Sequence, residues 1–282
     1  MSQLTAIGKA LDFIEGNLRE NIGVADMADA AGYSLYHFCR VFNGIVHHTP
    51  YDYLMRRRLS ESARVMIETD RKIIDVAFEY QFNSPETYSR AFKRMFGMPP
   101  YRWRNQRAVD ERLWMPRLTL EYIQHINKGD YLKPVLVERE ALRVMGLMSL
   151  VQDRMVIPHL WEILTQELGR AESASALREY YGIAWYPRGW ERDGFFYMVA
   201  VETKSLDGPH PALVVKVIPS LTYARFVHKG PRRDLELTLD YIYQTWLPQS
   251  DMRLSHPLEI EYYGRDFSDH KEPEWEIYIP IK

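Results

Sequence analysis

Near the start of the chain, apolar residues fall at Ile7, Leu11, Ile14 and Leu18, three or four apart, the repeat of one face of an amphipathic helix. The short run VADMADAAG reads as a second helix closed by Gly32, because glycine enters the left-handed turn after a helix without steric penalty. Ser34 is then an N-cap type, and Phe38, Val41, Phe42 and Ile45 form the buried stripe of the next helix. A short helix, a tight turn and a longer helix with polar residues outward predict a helix-turn-helix. About fifty residues later the pattern returns. IIDVAFEYQF is the short helix, with Ala77 where the first copy has Ala28, and Asn83 or Ser84 is the cap. NSPETYSRAFKRMFGMPPYRW then places Tyr88, Ala91, Phe92, Met95 and Phe96 on one side and Glu86, Thr87, Arg90, Lys93 and Arg94 on the other. SLYHFCRVF and SPETYSRAF share a serine, an aromatic and Arg-x-Phe, and Pro50-Tyr51 recurs as Pro100-Tyr101.

Between the copies, YDYLMRRRLSESARVMIET predicts a helix with Leu54, Leu59, Ala63, Met66 and Ile67 as its apolar side. Nineteen helical residues span about 28 Å. Two helices reading successive major grooves sit roughly 34 Å apart. The connecting helix is therefore about the length of strut that lets both copies face one side of a duplex.

Past Arg107 the pattern changes. Residues 110–133 mix charge, Pro and Gly with short apolar clusters and read as a linker holding one short helix at Leu120–Ile126. After Pro134 extended runs begin, in the order strand–helix–strand–strand, and LVVKVIPSLTYARFVHKG opens a second unit of the same order. Each unit has a tryptophan on its helix, Trp161 and Trp246. The expected fold is thus an all-α double helix-turn-helix followed by an α+β domain of duplicated units, its antiparallel sheet covered by both helices on one face. In the closing WEIYIPIK, alternation sets Trp275, Ile277, Ile279 and Ile281 toward the core and Glu276, Tyr278 and Pro280 away from it. Tyr181, Trp185, Tyr197, Tyr223, Phe226, Tyr262 and Tyr263 supply further aromatic surface. A carboxylate in an aromatic-walled cleft attracts cations; the same residues would serve equally well to cover a sheet around a solvated Glu276.

Composition changes this picture little. At 282 residues and 46% hydrophobic, two packed cores are expected. The net charge of −2 hides an asymmetry: residues 1–109 hold 15 Lys and Arg against 12 Asp and Glu, and the remainder 21 against 26. A basic first half points weakly to nucleic acid. A single cysteine, Cys39, excludes an intrachain disulfide, and no apolar run reaches a membrane span, so a soluble cytoplasmic chain is expected. His47-His48 lacks a third metal ligand at useful spacing, and no phosphate loop or nucleophile elbow occurs, so no cofactor or metal is expected.

Two resemblances sharpen the reading. Residues 5–106 resemble the DNA-binding domain of the AraC/XylS transcriptional regulators, through the RRRLSESARVMI helix and the long motif FNSPETYSRAFKRMFGMPPYRWR. The resemblance implies that the first reading helix presents Tyr36, Cys39 and Arg40 to bases and the second Glu86, Thr87 and Arg90. An arginine suits guanine and a carboxylate accepts from cytosine, although Glu86 and Arg90 are also spaced to pair with each other. Lys93 and Arg94 suit phosphates, as does Arg57 among three consecutive arginines that cannot all point one way. Residues 134–282 resemble GyrI-like effector-binding domains, in Arg225 to Pro231, DYIYQTWLPQS and WEIYIPIK. That likeness implies a cleft between repeats with a central glutamate, Glu276 by position, and walls drawn from Tyr278, Trp185, Tyr197, Phe226 and Tyr262. The whole then implies a transcription regulator with residues 1–109 on promoter DNA, a linker over 110–133, and a small effector, cationic or aromatic, bound within 134–282. The partners of such an activator are double-stranded promoter DNA, the effector and RNA polymerase. A hydrolase working through Glu276, or a protein-docking module, are the alternatives.

Overall fold

The computed structural model describes residues 2–106, 111–128, 132–170, 179–187, 194–205, 210–264 and 274–282. The chain divides into two compact units, Met1–Lys128 with Leu237–Ser250, and Gly129–Glu236 with Asp251–Lys282. The units do not follow the expected division at residues 109 and 134, because a stretch from the heart of the C-terminal half groups with the N-terminal one.

The first unit opens with α1 (Gln3–Gly16), α2 (Val24–Ala31) and α3 (Leu35–Val46), continues through α4 (Pro50–Glu68), and repeats the short–long pair as α5 (Ile73–Glu79) and α6 (Pro85–Phe96). α7 (Pro100–Gln106) and α8 (Leu120–Ile126) follow. Ala28 and Ala77 are buried as the small residues at which each pair packs closely. The two turns are made differently. Gly32 sits at φ 71°, whereas its counterpart Gln81 holds φ 63°, a conformation costing a side-chain-bearing residue roughly 1–2 kcal/mol. Its amide donates to the Arg19 carbonyl at 2.6 Å, which helps to offset that cost. Of the two shared serines, Ser84 caps α6 by accepting from Thr87 N at 3.2 Å, and Ser34 makes no side-chain cap bond.

α4 is tied to α1 and the turn after it through inward-turned arginines. Arg57 is 5% exposed. It grips Glu15 of α1 with Nε and Nη2, both at 2.8 Å, reaches Glu61 at 3.0 Å, and donates Nη1 to the Met115 carbonyl at 2.7 Å. Arg58 donates to the Leu18 and Glu20 carbonyls at 2.8 and 2.6 Å. The phosphate role expected of Arg57 is therefore corrected: one helical step of 100° turns it into the core, where each of its three nitrogens donates.

The stretch that joins this unit from the far half is helical throughout: α10 (Leu235–Asp240), a π-helical turn at Tyr241–Trp246 and a last turn at Leu247–Gln249. Thr245 Oγ1 lies 3.0 Å from His48 Nε2 and 3.3 Å from the Tyr122 hydroxyl. Thr238 Oγ1 meets His125 Nε2 at 2.7 Å, and the Gln249 amide donates to the His47 carbonyl at 2.6 Å. His47 is the left-handed residue that ends α3, so this segment grips the end of the first reading helix.

The second unit is built on an eight-stranded sheet: β1 (Val135–Arg139), β2 (Leu142–Val151), β3 (Tyr180–Trp185), β4 (Phe195–Glu202), β5 (Val214–Ile218), β6 (Leu221–Lys229), β7 (Leu258–Gly264) and β8 (Glu274–Pro280). Each expected opening strand is in fact two, broken at Glu140-Ala141 and Pro219-Ser220. The order is β1-β6-β8-β7-β3-β4-β2-β5, and all pairings are antiparallel. β1 and β2 thus lie six strand positions apart, about 29 Å in a flat sheet, yet their link spans at most about 11 Å. The same holds for β5 and β6. The sheet must curl until its halves meet. Its inner face is one core, with Val144, Ile183, Met198, Tyr223, Ile260 and Tyr278 drawn from both halves. On the outer face, α9 (Val156–Arg170) lays Trp161, Leu164 and Leu168 against Tyr197, Val199, Tyr263 and Trp275.

Removing one partner of a buried ion pair costs about 3–5 kcal/mol. Arg57→Ala is expected to lower unfolding free energy in urea by that amount, with Glu15→Gln close behind. A loss within 0.5 kcal/mol would mean that the helices are held by packing alone.

Candidate functional site

On the first unit the polar faces of α3 and α6 are open. Tyr36 is 81% exposed and Arg40 is exposed beside it, with Cys39 half-buried between them. On α6, Glu86, Thr87, Arg90, Lys93 and Arg94 are all exposed, and Tyr88, Phe92 and Phe96 turn into an aromatic core that runs to Trp103. Glu86 and Arg90 form no ion pair; the carboxyl of Glu86 is held low by its own backbone N–H and by Ser84. Lys93 and Arg94 occupy the last turn of α6, where cations are favoured.

In the second unit the expected ligand residues do not converge. Direct antiparallel partners share a face, so Tyr278 with Arg225, Tyr262 with Glu276, and Trp185 with Leu258 all lie on the inner face. Tyr197, on the α9 face, and Phe226, beside Ile277, lie on the outer one. Glu276 keeps 27% of its side chain exposed; Arg225 pairs with it at 3.0 Å and the Tyr278 hydroxyl donates to it. Its charge is shared with Arg225, and the other expected wall residues Tyr197 and Phe226 lie on the opposite face from it.

Another carboxylate has the surroundings expected of that group. Glu261 on β7 is 4% exposed and lies on the α9 face. The hydroxyls of Tyr197 and Tyr263 both donate to its Oε2. Burial pushes both phenols well above their ordinary pKa, so each remains a donor. Trp161 and Trp275 stand edge-to-face against Tyr263, each at 5.2 Å. Glu259, two residues earlier on the same face, is also buried and accepts from Tyr186 at 2.9 Å. Gly182, the β3 partner of Glu261, leaves room for this arrangement: a Cβ there would stand 2.1 Å from the Tyr197 hydroxyl and 2.6 Å from Glu261 Oε2.

Comparison with known proteins finds one known domain in each half of the chain. The profile of the GyrI-like small molecule binding domain matches residues 132–282, and that of a helix-turn-helix domain matches residues 27–106. The transcriptional regulator Rob of Salmonella typhimurium is 38% identical over 300 aligned residues, covering all of both chains. The chain belongs to the AraC-type transcriptional regulators that carry a GyrI-like domain. Other relatives match through the DNA-binding part alone. The multiple antibiotic resistance protein MarA of the same organism is 30% identical over 125 residues, 44% of this chain and 92% of MarA. The Bacillus subtilis regulator YbfP is 38% identical over 99 residues, 35% of this chain and 34% of YbfP.

The protein is thus a DNA-binding transcription regulator with a small-molecule-binding domain. No helix among the described residues is long and apolar enough to cross a membrane. Sequence reading passed over Glu261 because LEIEY alternates cleanly, which assigns Glu259 and Glu261 to the polar face of the strand, the one expected to meet water. The usable signal was Gly182, whose missing side chain makes sense only opposite a bulky group. Gly182→Ala is expected to cost about 1–3 kcal/mol in urea unfolding by forcing the Tyr197 hydroxyl from Glu261. An unaltered midpoint would show that the tyrosine sits elsewhere.

Proposed function

We propose that the protein reads an asymmetric promoter site with α3 and α6 and responds to a cationic or amphipathic aromatic effector anchored at Glu261. The observation that carries the effector reading is a nearly water-free carboxylate, held by two tyrosine donors and walled by tryptophans. Away from water, ion pairing is strengthened, and a cation over such rings gains about 2 kcal/mol or more. Tyr36, Cys39 and Arg40 on α3 and Glu86, Thr87 and Arg90 on α6 are the base readers in this reading, with Lys93 and Arg94 on phosphate. The two helices differ at Tyr36 and Cys39 against Glu86 and Thr87, and this would make the half-sites unequal. The regulator acts as an activator in this reading, with RNA polymerase as its partner. Support for coupling comes from Leu237–Ser250, which belongs by sequence to the GyrI-like domain and by packing to the DNA-binding unit. An effector switches DNA binding only if it favours one placement of that segment over another.

Arg90→Ala should weaken binding to the promoter site by about 1–3 kcal/mol, with relaxed preference at one base pair, in a gel-shift series across substituted sites. Undiminished specific binding would remove α6 from the reading surface. Glu261→Gln should lower the affinity of benzamidinium at least tenfold in calorimetry while leaving the neutral isostere benzamide unchanged. Equal loss for both compounds would show that the carboxylate shapes the site without pairing.

A further inference from the structure

We propose that Arg232 is a resident cation in the Glu261 site, a tethered stand-in that the effector must displace. This rests on Glu261 being the effector's anchor.

Arg232 follows a tight turn after β6. Gly230 takes φ 134°, and Pro231 presents its carbonyl 3.4 Å from His228 Nε2. His228 stacks on Trp275 at 5.3 Å, which sets this turn against the wall of the site. From there the Arg232 guanidinium reaches over Trp161, 5.5 Å from its ring centre, and over Tyr263 at 5.6 Å. Both fall within the ~6 Å reach of a cation–π contact; Tyr263 donates its hydroxyl to Glu261, and Trp161 packs edge-to-face on Tyr263. Burial lowers the pKa of the guanidinium, but Tyr263, Tyr197 and Glu261 raise it further, so it stays charged among them. Arg232 therefore occupies the position in which an aromatic-walled carboxylate would hold an external cation.

A charge inventory shows why occupancy should be exclusive. The α9 face buries Glu259 and Glu261. Among the described residues two arginines lie near them: Arg232, and Arg154, which also pairs with Glu236 at 3.1 Å and lies over Phe195 at 5.1 Å. A second cation over the rings that Arg232 covers would stand against a like charge in a site away from water, where repulsion is strong. Exchange for Arg232 avoids that repulsion. It also selects for ligands with a planar, guanidinium-like or aromatic cationic head, because they inherit a slot shaped by a guanidinium. The exchange has a route outward: Arg232 begins the turn Arg232–Asp234 that leads directly into α10 and the segment packed on His47 and His48.

The test uses the full-length chain and titrates ethylguanidinium and benzamidinium by calorimetry. Arg232→Ala should bind both at least tenfold more tightly than the unmodified protein, and Arg232→Lys should bind them about as weakly. Arg232→Gln, which is shorter but keeps a polar amide donor while losing the charge, guards against misfolding of the alanine variant and should follow it. Ethylguanidinium should also raise the thermal midpoint of Arg232→Ala and leave that of Arg232→Ala/Glu261→Gln unmoved. If binding depends on Glu261 yet both neutral variants bind no more tightly than the unmodified protein, the resident-cation proposal is wrong and the anchor survives. If Glu261→Gln binds both cations as well as the unmodified protein, the anchor itself falls and the proposal with it.

Discussion

A carboxylate removed from water must find donors and opposite charge within the protein, and Glu261 imposes that demand on the whole second unit. Its cost is several kcal/mol in isolation, and nearby features act to offset it. Tyr197 and Tyr263 donate to it, Gly182 leaves them room, Arg232 brings charge from the turn after β6, and α9 seals the face with Trp161. Glu276 shows the contrast. It sits two strand positions from β3, on the other face, about a quarter exposed and paired with Arg225. Identical side chains thus have different chemistry because one has lost water and the other has not.

The curl of the sheet makes that difference possible. Two-residue links between β1 and β2 and between β5 and β6 exchange the opening strands of the repeats. A sheet tied in this way closes on an apolar interior, which fills with Tyr223, Tyr278 and their neighbours. The buried polar site is left to the outer face, under a helix. The same duplication sends the second repeat's helix, from Leu237, to the DNA-binding unit. The helix of one repeat therefore covers the buried carboxylate, and that of the other packs at the end of α3.

In the first unit, duplication preserved the frame and varied the details. Phe42 and Phe92 fill equivalent core places, and Ala28 and Ala77 equivalent crossings. The turn residue changed from Gly32 to Gln81 at nearly the same φ, with a hydrogen bond to Arg19 as compensation. Arg57 and Arg58 show how far a polar side chain departs from expectation when a bidentate carboxylate or a row of helix-end carbonyls lies within reach.

The helix-turn-helix pairs were legible from residues alone because helical periodicity, caps and turns depend on neighbours three or four positions away. The outward residues of α3 and α6 followed from the same local geometry. Strand runs and the repeat in the second half were legible too, down to the side of WEIYIPIK that carries Trp275. Which glutamate is buried was not, nor was the placement of Tyr197 and Phe226 on one face with Trp185 and Tyr262 on the other. Strand alternation assigns residues to two faces without saying which face is sealed. That was decided by the pairing of strands far apart in sequence and by links short enough to force a curl, so that Glu261 came to lie under α9 while Glu276 stayed near water.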